Sequence, residues 1–113
     1  MALEVNGKSL ETDPEGYLVW PGDWNKAVAE QLAQQEGVEL TERHWQIINF
    51  MRQYYSEHQS PADVRDVTKY LVAELDYDKK EAKKCLFDLF PYGYVKQACK
   101  IAGMKKPRIW STG

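Results

Sequence analysis

The sequence is poor in the residues from which most enzyme centres are assembled. Its 113 residues include two cysteines, Cys85 and Cys99, and two histidines, His44 and His58. Two cysteines are too few for the disulfide framework of a small secreted domain. The histidines stand fourteen residues apart, as do the cysteines, and neither spacing makes a close ligand pair, so no metal site is expected. No phosphate-cradling glycine loop, no Ser/His/Asp set and no paired catalytic carboxylates stand out, and no cofactor is expected. No apolar run approaches the length a bilayer requires. The opening MALEVNGKSLETD has neither the basic nor the apolar region of a signal peptide. A cytoplasmic protein without membrane association is the expectation.

Acidic residues are also missing from one place: none follows Asp88. Residues 1–60 carry four Lys/Arg and ten Asp/Glu, whereas residues 61–113 carry eleven Lys/Arg and seven Asp/Glu. The tail holds Lys96, Lys100, Lys105, Lys106 and Arg108. A basic tail on an acidic body suits docking to an acidic partner or nucleic acid, and equally suits contacts with the chain's own acidic half. With 43% hydrophobic residues the chain can bury one core, so a single domain over 1–113 is expected.

What is present reads as mostly helix. Asn6-Gly7 between short apolar stretches signals a hairpin within residues 1–20. Asp13-Pro14-Glu15-Gly16 marks a second turn. A helical bundle is expected over 23–103. Asp23 reads as the N-cap of a first helix, with Trp24, Ala27, Val28 and Leu32 as its stripe and Gly37 as its stop. Thr41 caps a second helix over 42–57, apolar around much of its girth and therefore central. Ser60 and Pro61 open a third, with Val64, Val67, Thr68, Leu71, Val72 and Leu75 inward. Asp78 and Glu81 have capping-box spacing for a fourth, which carries Cys85 on its inner face. A fifth covers about 94–102 and stops at Gly103. Residues 104–113 read as an extended arm.

Few side chains are candidates for chemistry. Sulfur transfer or redox work needs a thiolate, and Cys99 is the candidate, with Lys96 one turn back to favour the charged form. The C-terminal end of the helix dipole opposes that charge. Val95, Cys99 and Ala102 share a face, so on spacing alone Cys99 reads more readily as a small core residue than as a reactive thiol. Cys85 reads as a buried, inert thiol. The third and fourth helices could form a helix-turn-helix in which Lys79, Lys80, Lys83 and Lys84 meet phosphates. That fourth helix has no Arg, Asn or Gln to read bases, and it also carries Glu81 and Asp88.

Three segments together carry a family resemblance. HWQIINFMRQYY (44–55) resembles the central-helix signature of the DsrC/TusE family. LFPYGYVKQACKIAG (89–103), continued by KP at 106–107, resembles its C-terminal signature, and VNGKSLETDPEGYL (5–18) its opening hairpin. The resemblance implies an orthogonal helical bundle of about five helices with an N-terminal β-hairpin, a helix-turn-helix-like pair and a mobile C-terminal arm. It implies a sulfur-relay role, with sulfite reductase subunits or sulfurtransferase relay proteins as partners. Family members carry a penultimate cysteine at the arm tip, and DsrC proteins add a second one upstream.

Cys99 matches the upstream cysteine. Trp110 stands where the tip cysteine belongs, and indole cannot carry a persulfide. The proline of the third helix is also displaced by one position. A two-cysteine cycle on the arm is therefore excluded. Three readings remain: a relay protein in which Cys99 alone holds sulfur; a non-catalytic homologue that docks through Lys96, Lys100, Lys105, Lys106, Arg108 and Trp110; and a helix-turn-helix regulator. With no complete active site visible, an autonomous enzyme is not expected.

Overall fold

The computed structural model describes residues 2–105, the side chain of Val95 excepted. Strands β1 (Ala2–Val5) and β2 (Lys8–Glu11) pair antiparallel, with Leu3 opposite Leu10 and Val5 opposite Lys8. Asn6 and Gly7 both take positive φ (51° and 81°), the requirement of the tight turn their sequence signals. The two-residue turn sets the register, and alternation puts Leu3 and Val5 into the core. In the next turn the Asp13 carboxylate accepts the N–H groups of Glu15 and Tyr17 (2.9 and 3.0 Å), which turns Tyr17 and Leu18 inward.

Helix α1 spans Lys26–Glu36. Its cap is Asn25, whose side chain accepts from the Val28 N–H at 3.0 Å, and not Asp23. Asp23 instead ends a single 3₁₀ turn begun at Pro21. Trp24 between them is extended (φ −73°, ψ 143°), so its indole leaves the α1 stripe and packs elsewhere. Gly37, at φ 71°, closes the helix as expected.

Helix α2 (Glu42–His58) is central. His44, Ile47, Ile48 and Met51 are buried on one side, while Phe50 and Tyr54 are half-buried on the other. His44 is its capping residue together with Thr41: the Thr41 N–H donates to His44 Nδ1 at 3.0 Å. A backbone N–H can only donate, so Nδ1 is the acceptor and Nε2 carries the proton. Nε2 donates to the Leu89 carbonyl at 2.9 Å, and the ring meets Phe90 edge-on. One neutral imidazole thereby joins the start of α2 to the end of α4. Burial lowers its pKa, against the raising effect of the Leu89 bond.

Helix α3 spans Val64–Leu75 and α4 Lys79–Leu89. The expected start of α3 at Ser60 and Pro61 is displaced to Asp63. Asp63 and Asp66 cap each other's N–H groups (2.9 and 3.0 Å), and this reciprocal pair satisfies two donors that a proline start would leave free. Val72, expected inside, is 37% exposed. Asp78 and Glu81 form the expected box at the start of α4. The segment Tyr94–Cys99, expected as a fifth helix, winds as a π-helix rather than an α-helix. It ends in a Schellman motif: the Met104 N–H reaches the Cys99 carbonyl and the Gly103 N–H the Lys100 carbonyl, both at 3.0 Å. Met104, expected to begin the arm, is buried. The architecture is mostly helical with one N-terminal two-stranded hairpin.

Candidate functional site

Cys99 sits at the end of the π-helical segment and is fully buried. Residues five apart come close in a π-helix, whereas an α-helix would set them on different faces. This winding is consistent with the hydrogen bond between the side chains of Tyr94 and Cys99. The Tyr94 hydroxyl also donates to the Ala62 carbonyl at 2.5 Å, tying the segment to the lead-in of α3. Burial pushes the Cys99 thiol up to about 12, and the bond to Tyr94 only partly opposes it. Burial likewise lifts Tyr94 well above the usual phenol range. Lys96 is exposed, so burial and not a neighbouring cation governs the thiol. In this conformation Cys99 is a protonated thiol sealed from solvent.

The segment is held from several sides. Gln97, fully buried, accepts the Tyr92 N–H at 3.1 Å and donates to the Glu36 carbonyl at 3.4 Å. Lys100 pairs with the Glu36 carboxylate at 3.2 Å and lies over the Tyr17 ring. The Trp24 indole donates to the Ile101 carbonyl at 2.9 Å, and Arg52 to the Ala102 carbonyl at 2.8 Å. Outside this frame runs a largely apolar groove lined by Val64, Leu86, Phe87, Phe90 and Tyr94, with Lys83 the one charged side chain along it among the described residues. Tyr94 thus touches both the groove and Cys99. Phe87 is 64% exposed on the groove's edge.

The remaining candidates are scattered. Both cysteines are free, so no Cys85–Cys99 bridge is formed. Cys85, expected to be buried and inert, is half-buried, with its thiol 3.7 Å from the Tyr77 hydroxyl. Lys105 is exposed, with its ammonium 5.9 Å from the Trp20 ring centre. Lys100 is occupied by Glu36 and Tyr17 rather than presented to solvent. Lys106, Arg108 and Trp110 lie outside the described residues. Lys79, Lys80, Lys83 and Lys84 are all exposed, but so are Glu81 and Asp88 on the same helix. Among the described residues no three His, Cys, Asp or Glu side chains converge as a metal site, and no helix is long and apolar enough to cross a membrane.

Sequence reasoning missed Gln97, the Lys100–Glu36 pair, and the Trp24 and Arg52 bonds. The Gln97–Glu36, Lys100–Glu36, Trp24–Ile101 and Arg52–Ala102 bonds join residues fifty or more positions apart, and no local pattern encodes them.

The fold is that of a small, mostly helical domain opened by a hairpin and closed by a short helix bearing one thiol. Residues 4–109 match the family described as "DsrC like protein". The chain is 42% identical over 105 residues to sulfurtransferase TusE of Sodalis glossinidius, covering 93% of this chain and 96% of the relative. It superposes on DsrC of Allochromatium vinosum with a TM-score of 0.83 at 48% identity, covering 96% of this chain and 97% of the other. The oxidized γ-subunit of the dissimilatory sulfite reductase (DsrC) from Archaeoglobus fulgidus superposes with a TM-score of 0.82 at 36% identity, with the same coverage. The chain belongs to the DsrC/TusE family.

Proposed function

We propose that this chain is a sulfur-relay protein of the DsrC/TusE type that works in the cytoplasm. It serves a larger partner, either sulfite reductase subunits or a sulfurtransferase of a relay. The observation that carries this reading is the end-to-end match to sulfurtransferase TusE and to DsrC chains. Within it, Cys99 is the thiol that receives sulfur. Lys96, Lys105, Lys106, Arg108 and Trp110 dock to the partner, while Lys100 holds the bundle together. The transfer is balanced: Cys99 gives up its proton, and its thiolate attacks the outer sulfur of a donor persulfide. The donor's S–S bond breaks and a new one forms on Cys99. The donor leaves as a thiolate that takes up a proton. A thiol held near 12 does this only when the π-helical segment opens, and the groove bordered by Tyr94 is the side from which a partner could open it.

Complete burial of Cys99 supports a second reading, in which the chain docks and regulates without carrying sulfur. Intact-mass spectrometry after incubation with a persulfide donor separates the two. Wild type, Cys85→Ser and Cys99→Ser are compared, alone and with the partner. Carriage predicts a gain of about 32 Da that disappears in Cys99→Ser and persists in Cys85→Ser. No gain on Cys99 even with the partner present rejects carriage and leaves docking.

A further inference from the structure

One surface of the bundle lies apart from Cys99 and its frame. Helices α2 and α3 meet along a groove floored by Phe50, Tyr54 and Tyr70. Phe50 and Tyr70 stack with centroids 4.4 Å apart and planes 16° from parallel. The rims are acidic. Asp66, Tyr70 and Glu74 follow one another at four-residue steps and form one stripe of α3. Glu57 stands on the α2 side, one turn from Tyr54. Tyr54 hydrogen-bonds Asp66. Among the described residues that line the groove there is no lysine or arginine; His58 stacks on Tyr54 at its end. Lys69 and Arg65 belong to other faces of α3, and Arg65 pairs with Asp63.

Aromatic rings edged with carboxylates suit a segment that presents cations and an aromatic group: cations pack on ring faces while the acids supply the opposite charge. This chain carries such a segment in Lys105, Lys106, Arg108 and Trp110, beyond the last acid of the sequence. Lys105 leaves the bundle beside Trp20, on the side where Arg52 of α2 bonds Ala102. At about 100° per residue, Phe50 and Tyr54 point to the opposite side of α2 from Arg52. The groove therefore faces away from where its own chain's segment emerges, which favours a second copy.

We propose that the α2/α3 groove is a docking site for the basic C-terminal segment, residues 105–110, of a second copy of this chain. The interaction does not depend on sulfur chemistry at Cys99. It masks the segment's cations and Trp110, so self-association and partner docking compete.

Sedimentation equilibrium of the full chain tests this. Wild type is expected to self-associate, and more weakly as salt rises. Glu57→Lys/Glu74→Lys, at two exposed positions, weakens association at least about tenfold, and so does Lys106→Glu/Arg108→Glu. An equimolar mixture of these two variants associates again, because the reversed segment of one fits the reversed groove of the other. A wild type that stays monomeric overturns the proposal, as do variants that associate like wild type or a mixture that stays apart.

Discussion

The guanidinium of Arg52 lies 4.3 Å from the Trp24 ring, and the two side chains donate to neighbouring carbonyls, Arg52 to Ala102 and Trp24 to Ile101. A second nitrogen of Arg52 reaches the Pro21 carbonyl at 3.1 Å. One fork of donors therefore joins α2, the turn before α1 and the end of the helix that carries Cys99. The Ile101 and Ala102 carbonyls belong to the orphan set of a helix C-terminus, which needs outside donors when buried.

Replacing Arg52 by Met keeps much of the side-chain volume but removes both bonds. A destabilisation of about 2–4 kcal/mol is expected, since two carbonyls lose their charged donor. Lysine recovers little of it, because a point charge cannot span two acceptors as a fork does. Urea unfolding of the three proteins checks this, and an Arg52→Met midpoint equal to wild type would sink the clamp.

Gly103 closes the helix that carries Cys99 at φ +77°, and a Cβ built there lies 2.4 Å from Cδ1 of Trp24. Two penalties combine in Gly103→Ala, backbone strain and an indole pushed off its carbonyl. The expected loss is about 2–4 kcal/mol. By contrast, Gly7→Ala meets open space and carries only the backbone penalty of about 1–2 kcal/mol for a side chain in the left-handed region. Unfolding midpoints that rank the two variants the other way would contradict the close approach of Gly103 to Trp24.

The two thiols are expected to differ in reactivity. A soluble maleimide at neutral pH modifies Cys85 first, since it is half-buried, while Cys99 is sealed and its thiol is pushed up to about 12. Peptide mapping of a time course reads the order. Both label rapidly in urea. Equal native rates would mean that the π-helical segment opens readily without a partner.

Acid should loosen the bundle through His44. Its pKa is lowered in the folded state by burial, so below about 6.5 the unfolded chain binds more protons than the folded one. Stability therefore falls as pH drops beneath that value, by at most about 1.4 kcal/mol per unit from this group. Protonating Nδ1 also removes the acceptor for the Thr41 N–H. Urea midpoints against pH are expected to flatten in His44→Gln between pH 6.5 and 5, at a lower overall stability. A wild-type curve with no slope in that window would count against the neutral, capping imidazole.

Much of the local structure was legible in the residue order because its causes are local. Asn6-Gly7 demands positive φ at two positions, and both adopt it. Thr41 and Asp78 sit three residues before partners that can answer them, and both caps form. The apolar girth of α2 foretold a helix with neighbours on two sides. The errors fell where two local signals competed. Pro61 is a good helix opener, but the Asp63/Asp66 pair satisfies more donors. Asp23 is a good cap, but Trp24 has a partner 77 positions away that holds the backbone extended there.

The site divides along the same line. By itself the sequence determined the family, through three motifs in order, and it put a tryptophan at position 110, since side-chain identity needs no fold. It also placed Cys99 on a short closing helix. Only the tertiary structure decided that this helix winds as π, that Tyr94 and Cys99 meet, and that the thiol is buried and protonated rather than activated by Lys96. It likewise decided that Lys100 is held by Glu36. Burial and long-range pairing arise when distant segments exclude water together, and no stretch of this chain encodes them alone.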